Sequence, residues 1–172
     1  MGKSVTVQIT MEIHEEDLVN LLSNAIETPD DCGCAYYKAT DEKAYEEARS
    51  QLISERKPDA DDQITQVETF ARMLLNGGTL QCLDPESDWH WSGHEPGEML
   101  WKAQIIMEGC VPVGGKWHTV GLQNIVEGIQ KYGKDHICSD LGTDLHKIAE
   151  DGDFWDADAI IQYAMYGEVV YG

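Results

Sequence analysis

Two histidines four residues apart, in His90-Trp91-Ser92-Gly93-His94, are the part of this chain that most resembles a metal site. On a helix such a pair shares one face and can hold zinc. Gly93 and the following Glu95-Pro96-Gly97 argue against a helix there, and Trp91 stands where a zinc hydrolase carries its general-base glutamate. Cys82, Cys110 and His118 could complete a site only if the tertiary fold delivers them. His90 and His94 are therefore the weak candidates for a metal, the segment reads as a loop or interface, and no cofactor is expected.

Other chemistry-bearing spacings point the same way. Cys32-Gly33-Cys34 has one residue between its thiols, not the two of a redox pair or zinc knuckle. Trp117-His118-Thr119 offers at most half of what a two-histidine phosphodiesterase needs, two His-x-Thr copies. Gly114-Gly115-Lys116 lacks the spacing of a phosphate-binding loop. Asp151-Gly152-Asp153 and Asp156-Ala157-Asp158 lack the twelve-residue register of a calcium loop. No catalytic constellation emerges, and a non-enzymatic protein is expected.

Charge carries more information. The chain has 32 acidic residues against 12 Lys and Arg, a formal net charge of −20 over 172 residues. All three thirds of the chain are acidic, so this is not a solvating tail. Such a chain repels nucleic acid and anionic membrane and favours basic partners. On a helix, carboxylates at i and i+4 stand about 6 Å apart, close to the phosphate spacing along one nucleic-acid strand. Glu42 and Glu46 have that spacing, with Asp41 and Glu47 beside them, and Asp59, Asp61 and Asp62 extend the row. Trp89 and Trp91, in an irregular segment expected to be exposed, are the candidate anchors of an interface.

These side chains need a scaffold, and 42% apolar residues suffice for a core. Val5, Val7, Ile9, Met11 and Ile13 alternate with polar residues and predict a strand with one solvated face. Leu18, Leu21, Leu22 and Ala25 predict a helix with Glu15, Glu16 and Asp17 in its first turn. Residues 28–39 read as an irregular connection. A helix over about 41–56, capped by Thr40, buries Tyr45, Ala48 and Leu52; a third carries Ile64, Val67, Ala71 and Leu74 and stops at Gly77-Gly78. Residues 79–83 predict a short strand.

Residues 84–98 are the least regular, and 99–113 fit strand or buried helix equally. Gly114-Gly115 reads as a hairpin turn into a return strand over 116–120. Leu122, Ile125, Val126 and Ile129 predict an amphipathic helix ending near Gly133. A helix through Leu141, Leu145 and Ile148 and another from Asp156 to Gly167 follow. The expected fold is α+β: one acidic domain over 1–172, a small mainly antiparallel sheet with amphipathic helices on one face, and an inserted loop or hairpin region at 84–115. Met1 to Thr10 lacks the basic head and apolar run of a signal peptide, and no apolar run is long enough to cross a bilayer, so reduced cysteines in a bacterial cytoplasm are expected.

Two stretches together carry a resemblance: Val5 to Ile13 followed by Asp17-Leu18-Val19-Asn20-Leu21-Leu22, and the C-terminal run Asp156 to Gly172, with Gly77-Gly78-Thr79-Leu80 and Gly128-Ile129-Gln130 between them. This layout resembles a group of small acidic, mostly uncharacterised phage and prophage proteins of gut Firmicutes. The resemblance implies a mobile-element origin and, with the charge, an inhibitor of the anti-CRISPR or anti-restriction kind. Its partner would be a basic nucleic-acid-binding protein such as a Cas effector or restriction enzyme, engaged by acidic mimicry of nucleic acid. The alternatives are an accessory protein-interaction module without mimicry and, third, a metal-dependent enzyme. Neither nucleic acid nor membrane is expected to bind directly, and self-association into a homodimer is compatible with the sequence.

Overall fold

The computed structural model describes residues 12–26, 36–56, 63–96, 98, 105, 107–135, 146–148 and 152–171. The strand expected over Val5–Ile13 lies outside these residues, except Glu12 and Ile13, which have no regular structure. Of the helix expected around Leu141 and Leu145, only residues 146–148 are described; they are helical, with Ile148 buried.

The α+β expectation holds. In chain order the elements are α1 (Glu15–Ile26), β1 (Tyr36–Ala39), α2 (Glu42–Arg56), α3 (Gln66–Leu75), β2 (Thr79–Leu83), β3 (Trp89–Trp91), β4 (Pro112–Gly114), β5 (Trp117–Gly121), α4 (Leu122–Asp135) and α5 (Phe154–Tyr166). A three-stranded antiparallel sheet has the order β1-β2-β5, and β3 and β4 form a separate antiparallel pair.

Side chains alternate across the larger sheet as the strand period requires. Tyr37, Leu80, Cys82 and Val120 are buried on one face, in a core shared with Leu18, Leu22, Phe70, Leu74, Ile125, Ile129 and Ile160 from the helices. The other face carries Lys38, Gln81 and Thr119; Gln81 donates to the Thr119 hydroxyl across the strands. At one end of that outer face Leu83 is buried nonetheless, because the β3–β4 pair folds over it. Gly115 makes this fit. A Cβ there would lie 2.6 Å from the Leu83 side chain and 2.9 Å from the Cβ of Trp89.

The turn at Gly114-Gly115 does not close the expected hairpin. Both glycines have positive φ, 79° and 75°, and between them the chain passes from one sheet to the other. β4 pairs back to β3 and β5 pairs with β2.

Local chemistry sets the helix ends. Asp41, not Thr40, caps α2: its carboxylate accepts from the Lys43 amide and its carbonyl from Tyr45. Thr65 and Glu68 form a reciprocal capping box on α3, and Asp153 and Asp156 do the same on α5. α4 and α5 pack closely because Gly128 has no side chain; a Cβ there would sit 2.5 Å from the Ile160 carbonyl oxygen. Tyr132 donates to Asp156 and Tyr163 to Asp135, tying the two helices a second time. Beyond α5, buried Gln162 accepts from the Val170 and Tyr171 amides and donates to the Tyr171 carbonyl, fastening the C-terminal residues back onto the helix.

Candidate functional site

The acidic row on α2 divides into two halves. At its N-terminal end Asp41, Glu42, Glu46 and Glu47 are all exposed. Asp41 serves as the cap and Glu47 pairs with Lys43 at 3.4 Å, while among the described residues no ion pair reaches Glu42 or Glu46. The C-terminal end is neutralised. Arg72 of α3 lies between Glu15 of α1 and Glu55 of α2, 2.8 Å from each, and Arg56 pairs with Glu68 at 2.5 Å. The Arg72 bonds hold the Glu55 carboxyl below its ordinary range. Burial works to raise the Glu68 carboxyl, and its bonds from Arg56 and Thr65 outweigh that. Asp59, Asp61 and Asp62, expected to extend the row, lie outside the described residues.

Acidity therefore has two uses in this molecule. Asp17, Asp84 and Asp158 are buried. Asp17 meets His146 at 3.0 Å, Asp84 accepts from the Tyr171 hydroxyl at 2.9 Å, and Asp158 accepts from Gln162 at 2.6 Å. These carboxylates are internal acceptors, whereas Glu42 and Glu46, like Glu12, Glu16, Glu86, Asp88, Glu95 and Glu168 elsewhere, are exposed and carry no ion pair among the described residues.

Trp89 and Trp91 are not the exposed anchors expected. Both lie on β3, half-buried, edge to face with each other at 5.3 Å. Trp91 meets Tyr36 of β1 at 5.9 Å, Tyr36 meets Trp117 at 6.4 Å, and the Trp89 indole donates to the Pro85 carbonyl. The reason is the strand pairing, which folds them onto the outer face of the larger sheet. Tyr36 and Glu42 line one open hollow of about 370 Å³ together with Lys38, Tyr45 and Phe70, so Tyr36 links the start of α2 to the tryptophan cluster. Exposed aromatic surface lies elsewhere, at Phe154 and Trp155, 37% and 50% exposed, on the first turn of α5. Their place beside the Asp153 cap was the available signal, since a helix's first turn projects partly beyond the packed layer.

Comparison with known proteins assigns the chain to no group. No protein-family model, curated protein or solved structure matches it. The reading therefore rests on geometry and charge alone.

The histidines separate. His90 lies half-buried on β3, paired in register with Val113. His94 follows β3 and turns back on itself, its amide donating to the Trp91 carbonyl. Its Nε2 is 2.9 Å from Glu108 Oε2 and its Nδ1 3.3 Å from Glu98 Oε2. The Glu108 and Glu98 carboxylates raise the imidazole above its ordinary pKa against the pull of burial. Cys110, buried just before β4, has its Sγ 3.8 Å from the same Glu108 oxygen. Burial and that carboxylate push the thiol up. Cys82 and His118 are cross-strand neighbours within the larger sheet, away from this group in register. His118 Nε2 is buried 3.7 Å from Asp84 Oδ2, too far for a hydrogen bond, and its ring meets Tyr166 at 4.7 Å. Cys32, Cys34 and Cys138 lie outside the described residues. Among those residues no helix is long and apolar enough to cross a membrane.

Proposed function

We propose that this chain is a non-enzymatic inhibitor encoded by a phage or mobile element. It binds a basic, nucleic-acid-handling defence protein of the Cas-effector or restriction-enzyme kind and occupies its groove in place of nucleic acid. One observation carries the reading: on a chain of net charge −20, Glu42 and Glu46 are exposed and without an ion pair among the described residues at helical i, i+4 spacing. Other exposed carboxylates are unpaired too, but Glu42 and Glu46 stand one turn apart on a single helix, which sets their charges in a row. Asp41 and Glu47 flank them in the chain, Tyr36 shares a hollow with Glu42 and meets the half-buried Trp91, which packs on Trp89, and Asp59, Asp61 and Asp62 follow α2 in the sequence.

The test is binding to purified Cas effectors and restriction enzymes at low and high salt, with and without competing DNA. Mimicry predicts fast association that weakens as salt rises, competition by DNA, and loss of binding in the Glu42→Lys/Glu46→Lys/Glu47→Lys variant. A folded variant that binds undiminished removes the site. The exposed Phe154-Trp155 pair favours a second reading, an accessory module that docks through apolar surface. That reading predicts salt-resistant binding that DNA leaves unaffected and Trp155→Ala weakens.

A further inference from the structure

We propose that His94, Glu108 and Cys110 form a zinc-class metal site that clamps the neck of the segment running from 95 to 109. The three donor atoms lie within 4.8 Å of one another. They come from the two ends of that segment: His94 follows β3, and Glu108 and Cys110 precede β4. Antiparallel pairing of Trp91 with Pro112 sets the ends side by side, and Ser92 fixes them further, its amide donating to the Val111 carbonyl and its hydroxyl accepting from the Val111 amide.

The donor set selects the ion. A thiolate, an imidazole and a carboxylate together suit zinc, whereas magnesium and calcium take oxygen donors alone. With bonds of about 2.1 Å to nitrogen and oxygen and about 2.3 Å to sulfur, tetrahedral donors stand about 3.4–3.8 Å apart. The spacing of 3.8 Å between Glu108 and Cys110 already fits. The His94–Glu108 contact of 2.9 Å opens by roughly half an ångström when an ion replaces the shared proton.

An independent feature supports the assignment. Zinc-bound histidines characteristically donate their other ring nitrogen to a carboxylate, which fixes the tautomer and orients the ring. Glu98 Oε2 lies on the Nδ1 side of His94, leaving Nε2 for the ion. Three protein donors leave a fourth position for water. The site tethers β3 to β4 where neither strand has a fully buried side chain of its own.

The experiment is cobalt titration of reduced, chelator-treated full-length protein. We expect one cobalt per chain with a thiolate-to-cobalt charge-transfer band that zinc displaces. The band is lost in Cys110→Ser and kept in Cys32→Ser/Cys34→Ser. Affinity falls at least about 10-fold in His94→Gln and by about 10-fold in Glu98→Gln. His90→Gln binds as the parent does. Lack of stoichiometric cobalt binding by the parent overturns the proposal, as does a charge-transfer band that survives in Cys110→Ser. Should Cys110→Ser fail to fold, His94→Gln decides: unchanged cobalt affinity there overturns the site.

Discussion

The two sheets of this protein are held by different means. The β1-β2-β5 sheet lies under helices and shares with them a continuous aliphatic core in which Leu18, Leu22, Leu80, Val120, Ile125 and Ile129 are fully buried. The β3–β4 pair has no fully buried side chain. Trp89, His90, Trp91 and Pro112 are half-buried, and Val113 is 43% exposed. Aromatic edges, the hydrogen bonds of Ser87 and Ser92, and the side-chain-free surface of Gly115 hold it in place. Burial of aliphatic surface stabilises in proportion to area and locks many residues at once. Edge contacts and polar bonds contribute about 1 kcal/mol each and act locally. The smaller sheet should therefore open without the core.

The largest effect expected from this contrast comes from Phe70, 1% exposed on α3 and packed against Tyr45 at 5.6 Å. Phe70→Ala should lower global stability by about 3–5 kcal/mol, read as a shifted urea midpoint. Trp91→Ala removes two aromatic edges and should cost about 1–3 kcal/mol, felt mainly at β3 and β4. Hydrogen exchange should quicken at those strands and stay slow in α4 and α5. A loss of protection in α4 equal to that in β3 would show that the two sheets unfold as one.

How much of this was legible in the sequence follows the same division. Stripes such as Leu18-Leu21-Leu22-Ala25 and Leu122-Ile125-Val126-Ile129 announce helices because each repeats one face over about two turns, and α1 to α5 all lie where such stripes predict. β2 was legible as a short strand, and β5 as the strand that follows the Gly114-Gly115 turn. β1, β3 and β4 have only four, three and three residues, too few for a period to declare itself, and β1 falls in the stretch read as irregular. Strand pairing was illegible for a related reason: Gly114-Gly115 has the chemistry of a hairpin turn, but which strands it separates depends on Leu83 and Trp89, distant in sequence. The candidate metal group showed only in part for the same cause: His94 and Cys110 were among the ligands considered, and Glu108 was not. Spacing draws the eye to His90 with His94, whereas long-range pairing selects Cys110 and Glu108. On α2 the acidic residues were visible, but not that Arg72 of α3 would claim Glu55 near its C-terminal end.

A smaller effect is expected at high pH, within the helices of the main core. Tyr132 and Tyr163 join α4 to α5 through Asp156 and Asp135. The bond to Asp135, then burial, pushes the Tyr163 phenol up to about 12. Burial and the bond to Asp156 raise Tyr132 as well. Unfolded tyrosine ionises near pH 10, about two units lower. The folded state thus keeps protons that the unfolded chain releases. This contribution is complete below about pH 10 and is lost as pH rises through about 12. Unfolding free energies measured across that window should fall steeply in the parent and less steeply in Tyr163→Phe. An equal slope in both would mean that the α4–α5 bond does not couple to folding.

The smallest expected effect concerns Glu46, and it bears on whether the free acidity is structural. Glu46 is exposed in the second turn of α2, beyond the reach of the N-terminal dipole and without an ion pair among the described residues. Glu46→Lys should change stability by no more than about 0.5 kcal/mol. The sign is informative. In a chain of net charge −20 the added cation relieves self-repulsion, so the variant should match or exceed the parent at low salt and converge with it at high salt. Glu42 provides the internal contrast, because reversing a charge in the first turn costs about 0.3–1 kcal/mol of dipole interaction. If Glu46→Lys instead destabilises by more than about 1 kcal/mol, well beyond the usual surface range, its carboxylate has a structural partner and the acidic face loses its claim to be spare. If the prediction holds, the fold keeps at Glu46 a charge that does not stabilise it, which is what a surface shaped for a basic partner requires.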